Sequence, residues 1–467
     1  MQQKNAPQKT DLRQLTQQFN AGETSPVETC AAVFDRIEQR NPAINAFSHL
    51  CIEDAMSSAR ASEARWKIGK PLSPIDGVPC TVKDIVLSKD WPTTFGSAIL
   101  GQDSPAKDDS PIVARLKEAG AVIVGLTTTP ELGWKAVTDS KKFGITRNPW
   151  DTTKTPGGSS GGAAAAAAAD LGVLHVGTDG GGSIRIPASF CGIVGHKPSF
   201  GRVPAYPISP FGTVAHVGPM ARTVYDTAAM LSIISSPDNR DWHALKPDGI
   251  RYEDHLATSL KGKKFGYSLD LGHIKVDPQI ADAFLNAIKV FEALGADVTE
   301  VASPVDPCQS IFHDHWFAGA GYRIRHLSDS QKAQLDPGLV EIATQGQQIS
   351  LHQYIEAGQL RAEMGAKMIA FHENYDYLLT PTTPIPAFDA GLEFPAQSSD
   401  TRWTDWAGFN YPFNLTQQPA CSVPCGLTDQ GLPVGLQIVG PKYADLAVLQ
   451  AAYAFEQAHD GDFSVAP

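Results

Sequence analysis

Apolar residues recur at helical spacing just after Ser25-Pro26-Val27-Glu28, where Val27, Ala31, Val33, Phe34 and Ile37 form one stripe. A serine cap, a proline in the first turn and a glutamate three residues after the serine mark the start, and the pattern predicts a helix to about Arg40. A second helical stretch runs from Ile52 to Trp66. Gly77–Val86 consists instead of short apolar pieces broken by Lys83-Asp84, which reads as a strand running into a polar site. Ser110-Pro111 opens another helix that feeds the apolar run Ala121–Gly125. Gln279–Leu294 repeats that unit, with strand candidates Lys264–Tyr267 before it and Gly295–Val301 after it.

From about Pro304 to Glu373 the pattern turns wholly helical and rich in aromatics, His and Gln. The chain then returns through apolar runs at Leu378–Pro384 and Leu436–Gly440 to a closing helix over roughly Asp445–His459. Helices alternating with strands along the whole length predict an α/β protein with a mixed central sheet covered by helices. We expect one large domain over residues 1–467, its core at about 70–300 and 375–467, with a helical cap or insertion at about 304–373. No internal repeat, charge block or long linker divides it.

Composition narrows the class. Of 467 residues 42% are hydrophobic and 19% charged, enough apolar material for a sizeable core, which excludes a disordered or fibrous chain. Lys+Arg 38 against Asp+Glu 50 gives a net charge of −12, which argues against nucleic acid or an anionic membrane surface as partner. The 7 cysteines are odd in number and scattered, so reduced thiols are expected rather than a disulfide framework. Met1–Asp11 is polar, without the apolar stretch of a signal peptide, and no run approaches the ~18 apolar residues of a membrane span. These features lead us to expect a soluble, cytoplasmic protein; independently of them, the expected partner is a small-molecule substrate and the expected state a monomer or homodimer.

Three segments carry chemistry. Thr155-Pro-Gly-Gly-Ser-Ser-Gly-Gly162 runs directly into the alanines Ala163–Ala169, a loop of unusual backbone freedom followed by a helix without side-chain bulk. A flexible linker would not feed a helix in this way. Gly177-Thr-Asp-Gly-Gly-Gly-Ser-Ile-Arg-Ile-Pro187 places three glycines before a serine, exposing consecutive N–H groups where an oxyanion would need donors. A phosphate cradle does not fit, because neither Gly-Lys-Ser/Thr nor G-x-G-x-x-G is present. In Gly77-Val-Pro-Cys-Thr-Val-Lys-Asp84 the lysine is either a snorkelling surface group or a buried amine of lowered pKa. Ser159 and Ser160 both satisfy G-x-S-x-G, but Asp151–Pro156 is a poor strand, so a nucleophile elbow is not indicated.

Together these segments resemble the amidase signature family. The likeness covers nearly the whole chain and includes the N-terminal helix pair, Leu378–Pro384 and the ending Gly431-Leu-Pro-Val-Gly-Leu-Gln-Ile-Val-Gly440. Ser159 lies 76 residues after Lys83 and Ser183 a further 24 on, the order and spacing of that family's Ser-cisSer-Lys triad.

The resemblance implies that Ser183 is the nucleophile, Ser159 the bridging serine behind a cis bond from Gly158, and Lys83 the general base. It also implies an oxyanion hole from the N–H groups of Gly180, Gly181, Gly182 and Ser183, with no metal or organic cofactor. Asp179, Arg185 and Ser160 are expected to support the loops. His313-Asp314-His315 and the pair Cys421/Cys425 lack the further ligands of a metal site.

The family's substrates range from fatty, aryl and small carboxamides to carbamates and, in an amidotransferase subunit, glutamine. Thr127–Trp134 and Asn410–Ala420 are more similar to stand-alone bacterial amidases, including aryl acylamidases and urethane-cleaving members. Phe312, Trp316, Phe317 and Trp406 are the expected pocket residues, favouring a neutral, aryl-containing substrate. The alternative is the glutamine-hydrolysing subunit of a tRNA-dependent amidotransferase.

Overall fold

The computed structural model describes residues 11–101, 104–459 and 466. Of the polar opening segment Met1–Asp11, only Asp11 lies within them. Thirteen strands follow in chain order. The first seven are β1 (Phe47–Leu50), β2 (Pro79–Lys83), β3 (Val122–Thr127), β4 (Asp139–Ser140), β5 (Gly144–Ile145), β6 (Leu174–Asp179) and β7 (Val194–Lys197). The remaining six are β8 (His216–Ala221), β9 (Lys264–Tyr267), β10 (Asp297–Glu300), β11 (Tyr377–Pro381), β12 (Ala420–Leu427) and β13 (Pro433–Val439). Strands β4 and β5 form a small ribbon, and the others join one 11-stranded mixed sheet in the order β1-β3-β2-β6-β8-β7-β12-β13-β11-β9-β10. Strand β2 pairs parallel to both β3 and β6, whereas β6, β8, β7, β12 and β13 pair antiparallel in turn.

Local signals explain the framework. Ser25 Oγ accepts the Glu28 N–H at 3.2 Å while Glu28 Oε2 accepts the Ser25 N–H at 2.9 Å, closing the capping box at the start of the Pro26–Ile44 helix. That helix passes the expected end and carries Pro42 inside it. Helices Ile52–Lys67, Pro111–Glu118, Pro278–Ala293 and Asp445–Ala458 follow their sequence patterns closely. The segment 309–372 holds consecutive helices, Gln309–Ile324, Asp329–Lys332, Pro337–Gly346 and Leu351–His372, with no strand among its described residues.

Two features position the site. The alanine run becomes the buried helix Gly161–Ala168, whose Ala165 and Ala166 share one apolar cluster with Val122 and Val124, and whose Ala163 and Ala164 share another with Ile184 and Ala188. Methyl groups alone let this helix approach the sheet closely on every side. The central strands are buried on both faces, so β2 reads as a continuous buried run ending at Lys83. No helix among the described residues is long and apolar enough to cross a membrane.

Candidate active site

Lys83 ends β2 with no solvent exposure, and burial drives its pKa well below the ordinary lysine value, against the pull of the Asp179 charge. Its Nζ lies 2.7 Å from Ser159 Oγ, 2.9 Å from Ser160 Oγ and 2.9 Å from Thr178 Oγ1. Ser160 Oγ donates to the Thr178 carbonyl at 3.1 Å and accepts the Thr178 N–H at 3.2 Å. A hydroxyl has one proton, so Ser160 can only accept from Lys83. A neutral amine has two N–H groups and one lone pair. A neutral Lys83 that donates to Ser160 and Thr178 would turn its lone pair to the Ser159 hydroxyl.

Ser159 is held by its loop. The Gly158–Ser159 peptide bond is cis. A side chain at Gly158 would lie 2.6 Å from the Val137 backbone, so the close approach of two main chains requires glycine there. The Ser160 N–H donates to the Ser183 carbonyl at 3.1 Å, tying this loop to the next.

Ser183 sits between β6 and the Arg185–Cys191 helix, 6% exposed on a cavity floor. Its Oγ makes no hydrogen bond among the described residues, so the hydroxyl is free to turn. Asp179 shapes this loop from beneath, its carboxylate accepting the N–H groups of Gly182 at 2.8 Å and Ile184 at 3.1 Å. Arg185 reaches the same carboxylate through Nε and a terminal nitrogen, both at 2.9 Å, and both side chains are fully buried. Burial alone would raise the Asp179 pKa. The Arg185 charge and its hydrogen bonds overcome that and hold the group below the usual carboxylate range. Arg185 also donates to Gln437 Oε1 and Asn414 Oδ1, at 2.7 Å each.

Four N–H groups were expected to face an oxyanion. The structure commits one of them elsewhere: the Gly182 N–H already serves the Asp179 carboxylate, and a single proton cannot serve both well. The N–H groups of Gly180, Gly181 and Ser183 have no hydrogen-bond partner among the described residues.

A cavity of about 670 Å³ opens above Ser159, Thr178 and Ser183. Ile85, Phe95 and Leu132 line it, as do Phe211 and Trp316, whose rings stack 3.8 Å apart. Of the four aromatics expected to form the pocket, only Trp316 lines this cavity. Phe312 lies behind the loop, where a side chain on Gly181 would meet its ring at 2.7 Å. Phe317 stacks on His313, and Trp406 stacks on Phe190 with its Nε1 donating to the Glu393 carbonyl. All three are buried core. Sequence spacing indicates that a residue is apolar but not which cavity it faces.

Thr178, Asn414, Phe95 and Phe211 were missed. Thr178 and Asn414 stood inside segments already singled out; for Thr178 a polar side chain beside the glycine run was the available signal, whereas Asn414 meets that loop only through the fold. Phe95 and Phe211 lie in irregular segments with no periodicity to read.

The amidase family model matches residues 28–449. An acylamidase from Rhodococcus erythropolis is 36% identical over 445 residues, covering 92% of each chain. A glutamyl-tRNA(Gln) amidotransferase subunit from Myxococcus xanthus is 36% identical over 482 residues, covering 97% of this chain and 98% of its own. The crystal structure of a bacterial aryl acylamidase of the amidase signature enzymes superposes with a TM-score of 0.90 at 30% identity, over 97% of both chains. Alignment at that extent, on a fold whose loops carry the signature segments, means that this chain belongs to the amidase family and is an amide-hydrolysing enzyme of the amidase signature type.

Proposed function

We propose that the protein is a stand-alone amidase that works through Lys83, Ser159 and Ser183 by way of an acyl-enzyme. The observation that carries this reading is the set of contacts at Lys83 Nζ, which aims a lone pair at Ser159. Lys83 takes the Ser159 proton as Ser159 takes that of Ser183, and Ser183 Oγ bonds to the substrate carbonyl carbon. The N–H groups of Gly180, Gly181 and Ser183 receive the negative oxygen. Ser159 hands its proton to the leaving nitrogen and takes back the one held by Lys83, the C–N bond breaks, and the amine departs. Water then attacks the acyl carbon, giving its proton to Ser159 as Ser159 passes one to Lys83; the bond to Ser183 Oγ breaks, and the Lys83 proton returns through Ser159 to the Ser183 oxygen.

The same apparatus suits esters, in which the leaving atom is oxygen, and carbamates, whose carbonyl carries both an oxygen and a nitrogen. The apolar walls around Phe95, Phe211 and Trp316 support an aryl or extended apolar group beside the scissile bond. Buried cysteines without a disulfide among the described residues support action in the cytoplasm, where we place the protein as a monomer or homodimer. Labelling by a fluorophosphonate, read by intact-protein mass, tests the nucleophile: the adduct belongs on Ser183 and is lost in Ser183→Ala. An adduct on Ser159, Ser160 or a cysteine would falsify the assignment.

The likeness to the Myxococcus xanthus amidotransferase component supports a second reading, a glutamine-hydrolysing member of a larger complex. A purified chain inert on anilides that releases ammonia from glutamine only with companion proteins would put that reading first.

A further inference from the structure

Arg323 lines the cavity above Ser183, on a wall that is otherwise mostly apolar. Its guanidinium carbon lies 5.2 Å from the centre of the Phe95 ring. Among the described residues no carboxylate stands within ion-pair distance of it. The other charged lining groups are engaged: Asp179 holds Arg185 at 2.9 Å, and Asp241 accepts the N–H groups of Ala205 at 2.9 Å and His243 at 2.8 Å. Arg323 is exposed at the mouth on one side and packed against Phe95 on the other. Partial burial and the neighbouring Arg325 charge both lower its pKa, against a smaller pull from Tyr322, and among the described residues no carboxylate pairs with it to offset that.

A guanidinium resting on an aromatic face keeps its planar N–H edge free, the geometry that receives a carboxylate through two parallel hydrogen bonds. Position adds to this. The Gln309–Ile324 helix carries both Trp316, packed against Gly180 at the cavity floor, and Arg323 near its end. Arg323 stands seven positions after Trp316, a rise of about 10 Å along the helix axis. A ligand touching both Ser183 and Arg323 is therefore extended. With a net charge of −12 the protein repels anions at long range, so recognition of one needs a local cation such as this.

We propose that Arg323 is a specificity-determining anchor for a carboxylate at the far end of the substrate. The preferred substrates are then amides of ω-carboxyacyl or ω-amino acid type, with an apolar spacer between the scissile bond and the anion. The proposal rests on the amidase reading above and amends the expectation of a wholly neutral substrate. The part beside Ser183 stays neutral and apolar, and the remote end carries the charge.

Two matched pairs test it. Pimelic acid mono-4-nitroanilide is set against its methyl ester, and N-benzoyl-7-aminoheptanoate against N-heptylbenzamide, so that the anion lies on the acyl side in one pair and on the amine side in the other. In at least one pair the wild-type kcat/KM should favour the charged member tenfold or more. That ratio should fall towards one in Arg323→Gln and recover in part in Arg323→Lys. A merely structural role would lower both members together and leave the ratio unchanged, which overturns the proposal, as does a wild-type ratio near one in both pairs. Calorimetry on Ser183→Ala separates the two readings. Tighter binding of a charged member sustains the carboxylate anchor even where no amide is cleaved, in which case the hydrolase reading alone fails. Equal binding of both members in both pairs sinks the anchor whatever the kinetics show.

Discussion

Asn414 Nδ2 donates to both the carbonyl oxygen and the carboxylate of Asp179, at 2.9 Å in each case, across 235 residues of sequence. One amide from the Tyr411–Leu415 helix thus fixes the residue that shapes the Ser183 loop. Asn414→Ala should leave a fully buried carboxylate short of a donor, at a cost of about 1–3 kcal/mol. The expected result is a lower urea midpoint together with a lower kcat, because Gly182 and Ile184 hang from the same carboxylate. An Asn414→Ala enzyme with normal kcat would show that the loop keeps its shape without this tie.

Arg185 poses the same question more severely. Its partner Asp179 is equally buried, and removing one member of a buried ion pair typically costs about 3–5 kcal/mol. Arg185→Met should express poorly or unfold early in a thermal melt. Combined with Asp179→Asn it should regain part of that loss, since no buried charge is then left alone. A double variant no better than Arg185→Met would mean the pair matters for its hydrogen bonds rather than its charge.

Lys83 couples stability to pH in a sense that can be stated beforehand. Its folded pKa is depressed by burial, while the unfolded value is about 10.5. Between those two values the unfolded chain holds a proton that the folded chain lacks, so unfolding becomes harder as pH rises. The penalty is complete below the folded pKa and vanishes above about 10.5. The unfolding free energy of wild type minus that of Lys83→Met should therefore climb by up to about 1.4 kcal/mol per pH unit on the alkaline side. A flat difference from pH 7 to 10 would show that Lys83 stays charged in the folded protein, and the base assignment would fall with it.

Thr178→Val keeps the shape of the side chain and removes one acceptor from Lys83. An acceptor favours the ammonium over the amine, so its loss lowers the Lys83 pKa further. The acidic limb of the kcat/KM profile should move to lower pH. The plateau should fall by about 1–2 kcal/mol, roughly five- to thirtyfold, because the lone pair is less firmly directed. A limb that moves to higher pH, or an unchanged plateau, would rule out Thr178 as a positioning group.

How far the sequence could be read depended on what each residue's signal consists of. Helices with caps and amphipathic stripes, such as Pro26–Ile44 and Pro278–Ala293, were legible because those signals are local. Strands β6, β8 and β12 were not, for they carry glycine or proline and lie buried on both faces, which erases alternation. Glycine-rich segments drew attention to Ser159 and Ser183, whereas Lys83, taken alone, was indistinguishable from a surface lysine, and all three received their expected roles only through the family resemblance. The cavity wall was illegible because Phe95, Phe211 and Arg323 meet only through the tertiary fold.

That distinction yields a paired test of the substrate side. Phe211 lines the cavity and stacks on Trp316, whereas Trp406 is buried against Phe190 and Phe388 away from it. Apolar contact contributes about 25 cal/mol per Å², so stripping one wall from an aryl group should cost roughly 1–2 kcal/mol of binding. Phe211→Ala is accordingly expected to raise KM for an aryl amide about five- to thirtyfold, with a smaller change for an acetyl amide whose acyl part cannot reach that wall. Trp406→Ala removes a core side chain instead, a loss of about 3–5 kcal/mol of stability. It should lower the melting temperature while KM for the folded enzyme stays near that of wild type. The reverse outcome, with Trp406→Ala raising KM selectively for aryl substrates and Phe211→Ala leaving it unchanged, would move the aryl subsite to the far side of the Arg185–Cys191 helix, where Phe190 and Trp406 meet.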